Sequence, residues 1–522
     1  MKFPFLRLPE TTIHILGNST GGLDQRINDS FMPFAQWWEA LILGTIDIFG
    51  AQIPVVLLLL ILGALFFTVY FKGVNVRLFP ISLRIVRGNY DSLDKSSEDG
   101  ENGEVNHFQA LATAVSGTVG LGNISMVAVA ISIGGPGATF WMILAGLLGM
   151  STKFVECTLG VVYRDIDEKG NVFGGPMYYL SKGLKSKGYK NLGKVLAAMF
   201  AILCIGASLG GGNAFQTNQA AAQIIVQFGI QHEAAGTLIG IVIAILVGIV
   251  IIGGIKRIAK VTEKTVPFMA LLYVLAALFI IISNIDLVDD ALATIVKDAF
   301  SPKATVTGGF IGVMIQGFRR AAFSNEAGAG SSAIAHSAVK TRYAASEGLV
   351  GLLEPFIDTV LICTMTAVVL ILFNMEGAFI YGDVLNNKVL MMDGSRVGGI
   401  NLTSLAFENA ISGSSYILVV AVILFAFSTI LSWSYYGLQA WKYLFGRGKW
   451  SDLVYKVIFL MFTILGAAIT LDAVIKFSDA MILAMVFPNM IGLLFLFPRV
   501  RLELEKYLKA IQGLKGRKDG RS

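Results

Sequence analysis

Charge is scarce in this sequence: only 15% of its 522 residues are Asp, Glu, Lys or Arg, against about 25% in a soluble globular chain. With 55% hydrophobic residues, the shortage excludes a soluble globular protein and specifies an integral membrane protein. The net charge of +6 does not point to nucleic acid. The basic residues fall in short clusters between apolar runs, the pattern of cytoplasmic loops and not of a phosphate-binding face.

Cysteine and histidine are as scarce. Cys157, Cys204 and Cys363 all sit inside apolar runs without CxxC spacing, which excludes a disulfide framework or zinc knuckle and leaves small core residues. His14, His107, His232 and His336 are scattered singly and predict no metal cluster. The N-terminal residues lack the apolar h-region of a cleaved signal peptide, and neither HExxH nor a P-loop occurs. "GASLG" (206–210) has the spacing of a nucleophile elbow and "GAGSSA" (328–333) that of a loose dinucleotide fingerprint. Both lie in apolar runs without the strand that such motifs require. No catalytic residue is predicted, and the sequence does not read as an enzyme. The N-x-S/T triplets at Asn18, Asn28 and Asn401 matter only in a host that glycosylates.

What the chain does have is long apolar runs. Eleven are long enough to cross a hydrocarbon core, at about 52–71, 109–133, 138–161, 194–227, 234–255, 264–284, 308–338, 347–374, 413–444, 453–471 and 475–497. Lys and Arg cluster in segments 72–108 (including Lys95) and 162–193, in "IKRIAKVTEK" (255–264), at Lys340 and Arg342, at Lys442, Arg447 and Lys449, and in a tail with eight of them. The alternate loops are poor in basic residues. With the N-terminus outside and the C-terminus inside, every basic loop falls on the cytoplasmic side.

This gives an all-α plan in six parts: an extracytoplasmic segment 1–51, an extra transmembrane helix 52–71, a cytoplasmic loop 72–108, five-helix repeats 109–284 and 308–497, and a basic tail 498–522. Segment 74–88 reads as an amphipathic interfacial helix, with a plain loop carrying snorkelling arginines as the alternative. Setting the first span aside leaves five and five, and an odd number per half inverts the second half. The first span of each half is interrupted by small and polar residues: "SGTVGLGNIS" (116–125) and "SNEAGAGSS" (324–332). Matched Gly-interrupted spans in inverted halves point to a transporter binding site. Unwinding frees N–H groups that suit an anion and C=O groups that suit a cation. Close helix packing through small residues is the alternative for either segment alone.

The stretches "GTVGLGNI", "GGPGATFWM" (134–142), "GGPMYYL" (174–180), "QGFRRAAFSNEAGAGSSAIAHSAVKT" (316–341) and "FAFSTILSWSYYG" (425–437) together resemble the alanine/glycine:cation symporter family over about residues 105–497. The resemblance implies the LeuT-like fold of the amino acid–polyamine–cation superfamily, with the 5+5 inverted repeat plus one extra N-terminal helix. It also implies sodium-coupled uptake of alanine or glycine. Many members read GTGN where this chain has Gly120-Leu121-Gly122-Asn123, so Leu121 stands in place of a hydroxyl.

On this reading Gly117, Thr118, Gly120, Gly122 and Asn123 line one wall of the substrate site, and Ser324, Asn325, Gly328, Gly330 and Ser331 the other. Substrate carboxylate is expected at half-helix N–H groups. "GGGNAFQTNQ" (210–219) adds Asn213, Phe215, Gln216 and Thr217, whose alternative role is interhelical hydrogen bonding. Trp433 is expected to cap a small pocket, or else to belong to an interfacial belt. By the LeuT-like arrangement, sodium is held by carbonyls of Ala114 and Val115 or Ser116 and by hydroxyls of Ser428 and Thr429, or these hydroxyls bond their own helix. Arg319, Arg320 and Glu326 are candidates for an ion pair or gate, and Lys153 and Glu156 are further intramembrane charges.

The expected function is a secondary active symporter in the inner membrane of a prokaryote. Its partners are a small neutral amino acid, sodium and the bilayer. No cofactor beyond the co-transported ion, no nucleic acid and no obligatory protein partner is expected. A proton-coupled carrier is the alternative, with Glu326 as the titratable group. A channel disagrees with two inverted broken helices.

Overall fold

The structure is a computed structural model in which residues 22–48, 51–93, 103–301 and 309–518 are described. His14, Asn18, Lys95 and residue 308, each used above, lie outside the described residues.

Inside a bilayer no water is available to the backbone, so each apolar run must satisfy its N–H and C=O groups internally. Every one of the eleven runs carries helix. Seven helices are long and apolar enough to cross a membrane: Gly137–Val162, Lys190–Phe228, Gly254–Ser283, Ala344–Phe373, Ser414–Phe445, Lys449–Ala468 and Leu471–Leu514. The pair His107–Thr118 and Gly122–Gly134 forms an eighth, bent by 48° at its break. Val55–Tyr70 and Ala235–Ile251 are shorter apolar helices, and Gly309–Asn325 occupies the interrupted seventh run.

Burial separates centre from periphery. In Ser414–Phe445, 72% of the most apolar window is buried, against 28% in Gly254–Ser283. The latter exposes Leu271, Leu275, Phe279 and Ile282, an outer face suited to lipid chains. The central helix is stitched to His107–Thr118 by hydrogen bonds, Tyr436 OH to Thr113 O (3.5 Å) among them. Ser432 Oγ donates to Thr113 O (2.9 Å), Ser116 Oγ to Ser428 O (2.7 Å) and Trp433 Nε1 to Gly117 O (3.2 Å). The start of His107–Thr118 is fixed by a capping box between Asn106 and Gln109, which supplies two otherwise orphaned N–H groups.

The polar segments are structured too. Leu23–Ile42 is a helix packed along Leu471–Lys518. Its Asn28 is buried and accepts hydrogen bonds from Thr470, so this N-x-S triplet is an interhelical contact. The 74–88 segment is two short helices, Val74–Arg77 and Phe79–Val86. Asn75 anchors it by donating to Leu147 O at 2.8 Å. The 375–412 loop holds a three-stranded antiparallel sheet, Phe379–Leu385, Lys388–Met391 and Arg396–Val397, then the helix Ile400–Ala410. The sheet packs on the half-helix Val127–Gly134, beyond the first break.

Candidate functional site

At the first break the chain leaves its helix after Thr118 and restarts as a π-turn, Gly122–Met126. Its amides rest on neutral side chains. Gly120 N–H donates to Asn123 Oδ1 (2.9 Å) and Leu121 N–H to Gln216 Oε1 (2.9 Å). Glycine is required at position 120 by crowding. A Cβ there would lie 2.5 Å from Thr429 Oγ1 and 3.0 Å from Gln216 Oε1. Three helices therefore meet at one backbone atom.

The second break follows Asn325. Glu326 takes a left-handed φ of 55°, and Gly328 and Gly330 have φ of 95° and 85°, a region that costs an L-residue about 1–2 kcal/mol. Side chains of other helices satisfy this backbone. Gly328 N–H donates to Glu156 Oε1 (2.9 Å), and Asn489 Nδ2 donates both to Gly328 O (2.8 Å) and to Glu156 Oε1 (2.7 Å). Glu326 accepts from Ser331 Oγ and, at 3.2 Å, from Trp433 Nε1. The same indole N–H reaches Gly117 O, so Trp433 joins the two breaks. It is 1% exposed, which places it in the core and not in an interfacial belt. A Cβ at Gly212 would lie 2.1 Å from its ring.

The breaks also touch directly. Gly122 packs on Phe323 and the backbone of Ser324. Beside this contact stands Asp358, fully buried. Its Oδ1 accepts from Asn123 Nδ2 (2.6 Å) and Ser324 Oγ (3.2 Å), and its Oδ2 from Thr359 Oγ1 (2.6 Å). Asn325 Nδ2 reaches Thr359 Oγ1 at 2.8 Å. Among the described residues no Lys, Arg or His forms an ion pair with Asp358. Sequence reading passed over it. The available signal was the spacing of Glu347, Glu354 and Asp358, seven and four residues apart, which puts three acids on one face of an apolar helix.

The remaining candidates divide. Gln216 lies at the first break, and Phe215 packs edge-on against Phe323 with ring centroids 5.2 Å apart. Asn213 turns the other way and donates to Phe459 O (2.7 Å) on helix Lys449–Ala468, while Thr217 Oγ1 bonds Asn213 O (3.0 Å) one turn back in its own helix. Thr429 Oγ1 is buried without a hydrogen-bond partner among the described residues, whereas Ser428 Oγ bonds Phe425 O at 3.1 Å. Thr118 Oγ1 caps the Ala114 and Val115 carbonyls at 3.3 and 3.4 Å. Gly330 packs against Pro176 and Asn489.

Arg319 and Arg320 do not pair with Glu326. Arg319 bonds Glu39 (2.7 Å) and Asp479 (2.8 Å), and Arg320 bonds Asp479 (2.6 Å). Arg320 Nη1 also lies 3.2 Å from Met126 Sδ, at the end of the first break. Nor is His336 isolated. The donors of Cys157, His336 and Glu354 lie within 4.8 Å of one another, all buried. Residues 157, 336 and 354 belong to three separate elements, so no local spacing announced the group.

Residues 36–519 match the sequence profile described as "Sodium:alanine symporter family". The chain is 37% identical over 444 residues to "Sodium/alanine symporter AgcS" of Methanococcus maripaludis, covering 85% of this chain and 92% of that one. It is 34% identical over 429 residues to "Amino-acid carrier protein AlsT" of Bacillus subtilis, covering 82% and 83%. Among solved structures, MhsT in complex with L-phenylalanine superimposes with a TM-score of 0.47 at 14% identity, over 76% of this chain and 99% of that one. The manganese transporter of Eremococcus coleocola gives 0.49 at 15%, over 76% and 82%.

Proposed function

The chain belongs to the sodium:alanine symporter family, a family of multi-pass membrane transporters, and from that premise we propose that it imports alanine or glycine together with sodium by alternating access. The observation that carries the proposal is the meeting of two unwound segments around a buried carboxylate. The relative named as a sodium/alanine symporter supports the choice of substrate and ion.

Each residue type has a task in this reading. The substrate carboxylate takes over the Gly120 and Leu121 N–H groups, displacing the Asn123 and Gln216 oxygens that occupy them; an anion at such amides gains more than a neutral acceptor does. Gly117, Thr118, Gly122 and Asn123 on one side, and Ser324, Asn325, Gly328, Gly330 and Ser331 on the other, form the two walls. The indole of Trp433 between them, with Phe215, restricts the side chain to a methyl group or hydrogen. Asn213 and Thr217 hold the fourth run in place without touching the substrate.

Sodium needs hard oxygen ligands. Thr429 Oγ1, buried and unpartnered, supplies one beside the carbonyls of Ala114, Val115 or Ser116, and Ser428 supplies a second after rotating from its own helix. Asp358 adds a negative charge where the first half-helix meets the second break, and a cation arriving there with the amino acid balances it. Arg319 and Arg320 form a gate with Asp479 and Glu39. The arrangement is read as eleven spans, N-terminus outside, in five-helix repeats 109–284 and 308–497 after an extra helix 52–71, with segment 1–51 outside and the loop 72–108 and tail 498–522 in the cytoplasm.

The test is uptake of labelled alanine and glycine by proteoliposomes. Accumulation under an inward sodium gradient that vanishes when potassium replaces sodium is the expected result. Accumulation driven equally well by a proton gradient without sodium would replace this reading with proton coupling.

A further inference from the structure

Glu326 is also one end of a buried chain of titratable side chains that the symport scheme leaves unused. At the far end His107, 8% exposed, opens helix His107–Thr118 beside Val105 and Val339. Its Nδ1 bonds Glu347 Oε2, and Glu347 Oε1 meets His336 Nδ1 at 2.6 Å. The other ring nitrogen of His336 faces Glu354 Oε2 at 3.5 Å, and Glu354 Oε1 pairs with Lys153 Nζ at 3.1 Å. Lys153 Nζ donates to Ser332 Oγ at 2.5 Å, and the adjacent Ser331 donates to Glu326.

Two features suit this chain to protons. His336 stands between two carboxylates, one at each nitrogen, so a proton taken up on one side can leave from the other. And one ammonium, Lys153, faces three buried carboxyls, Glu354, Glu156 and Glu326. A buried carboxylate without a compensating cation neutralises by taking a proton. The other ionisable groups facing this region are Cys157, Tyr179, Cys204, Tyr436 and Asp358, with Arg164 beside Glu347; the cations among them leave Glu326 and Glu156 sharing Lys153 with Glu354. The Lys153 ammonium pairs with Glu354 Oε1, the oxygen other than the one that faces His336, so this group already has a cation beside it.

We propose that the His107–Glu347–His336–Glu354–Lys153–Ser332 chain, with Ser331, is a proton relay that delivers a proton from the cytoplasmic end of the first broken helix to Glu326 in the second break, side-chain rotation carrying it across the 3.5 Å separation of His336 and Glu354 and from Ser332 to Ser331, neither pair being hydrogen-bonded in this structure. It rests on the reading of the second break as part of the transport site. The proton passes between oxygen and nitrogen atoms without any other bond changing.

Infrared spectroscopy of the purified, substrate-free protein tests the relay. The C=O band of a protonated buried carboxyl is followed as the protein is moved from H2O to D2O. The wild type should show the band, Glu326→Gln should diminish it, and His336→Gln should slow its deuterium shift at least tenfold. Glu347→Gln should do the same, and it keeps the test alive if the histidine variant does not fold, as judged by monodisperse elution. Absence of the band, or equal exchange rates in wild type and both relay variants, overturns the relay. Refusal of both alanine and glycine in the uptake assay overturns the substrate reading and leaves the infrared result standing on its own.

Discussion

The two breaks solve the same problem with different chemistry. The first props its freed amides on neutral groups, Asn123 Oδ1 and Gln216 Oε1, and its crowding comes from side-chain tips. The second is held by a carboxylate and an amide from distant helices, Glu156 and Asn489, and by three residues with left-handed φ. Neutral acceptors are easily exchanged for a charged ligand. A backbone locked by buried charge is not, because removing one partner strands the other. On the proposed function, the first break hands its amides to a substrate, and the second holds its shape.

Glycine substitutions probe this difference most strongly. Gly328→Ala puts a Cβ 2.2 Å from Leu60 Cδ2 at a φ of 95°. Strain and overpacking together should cost about 3 kcal/mol or more, seen as a lower melting temperature together with lost uptake. Gly120→Ala instead meets Thr429 Oγ1 and Gln216 Oε1. It should abolish uptake while lowering the melting temperature less than Gly328→Ala does. The reverse order would break the distinction.

Next in size is Asp358→Asn, which keeps the volume and removes the charge. The sodium concentration for half-maximal uptake should rise at least tenfold, about 1.4 kcal/mol, with the protein still folded. Thr429→Ala removes one neutral ligand and should raise the same quantity less, by about three- to tenfold, in line with a single interaction of about 1 kcal/mol. Asn213→Ala sharpens the comparison from below. Losing the bond to Phe459 O should cost about 1 kcal/mol of stability, read by thermal unfolding, with half-saturation for alanine and sodium unchanged.

The helices and the two breaks were legible because each is a local property: an apolar run must be helical in a bilayer, and Gly-rich interruptions announce their own backbone. Trp433 and Gln216 were legible for a related reason, since a bulky indole or an amide inside an apolar run demands a partner. Which partner was not legible. Asn213 and Gln216 are three residues apart, yet Asn213 lies within the π-turn Gly210–Ala214 and Gln216 beyond it, and they serve different helices. Arg319 and Arg320 were expected to meet the nearby Glu326 and instead meet Asp479 and Glu39, on helices distant in sequence. His336 looked isolated because its partners, Cys157, Glu347 and Glu354, come from two other helices. Asp358 was missed although its helical spacing, eleven residues from Glu347 and four from Glu354, was in plain view.

On the proposed function, sodium and the amino acid occupy one connected site at the two breaks. The most direct measurement is equilibrium binding of labelled alanine to the purified protein during a sodium titration, in wild type and Asp358→Asn side by side. Sodium should strengthen alanine binding in the wild type, and this enhancement should be largely lost in the variant. Alanine binding of equal strength with and without sodium, in both proteins, would contradict it.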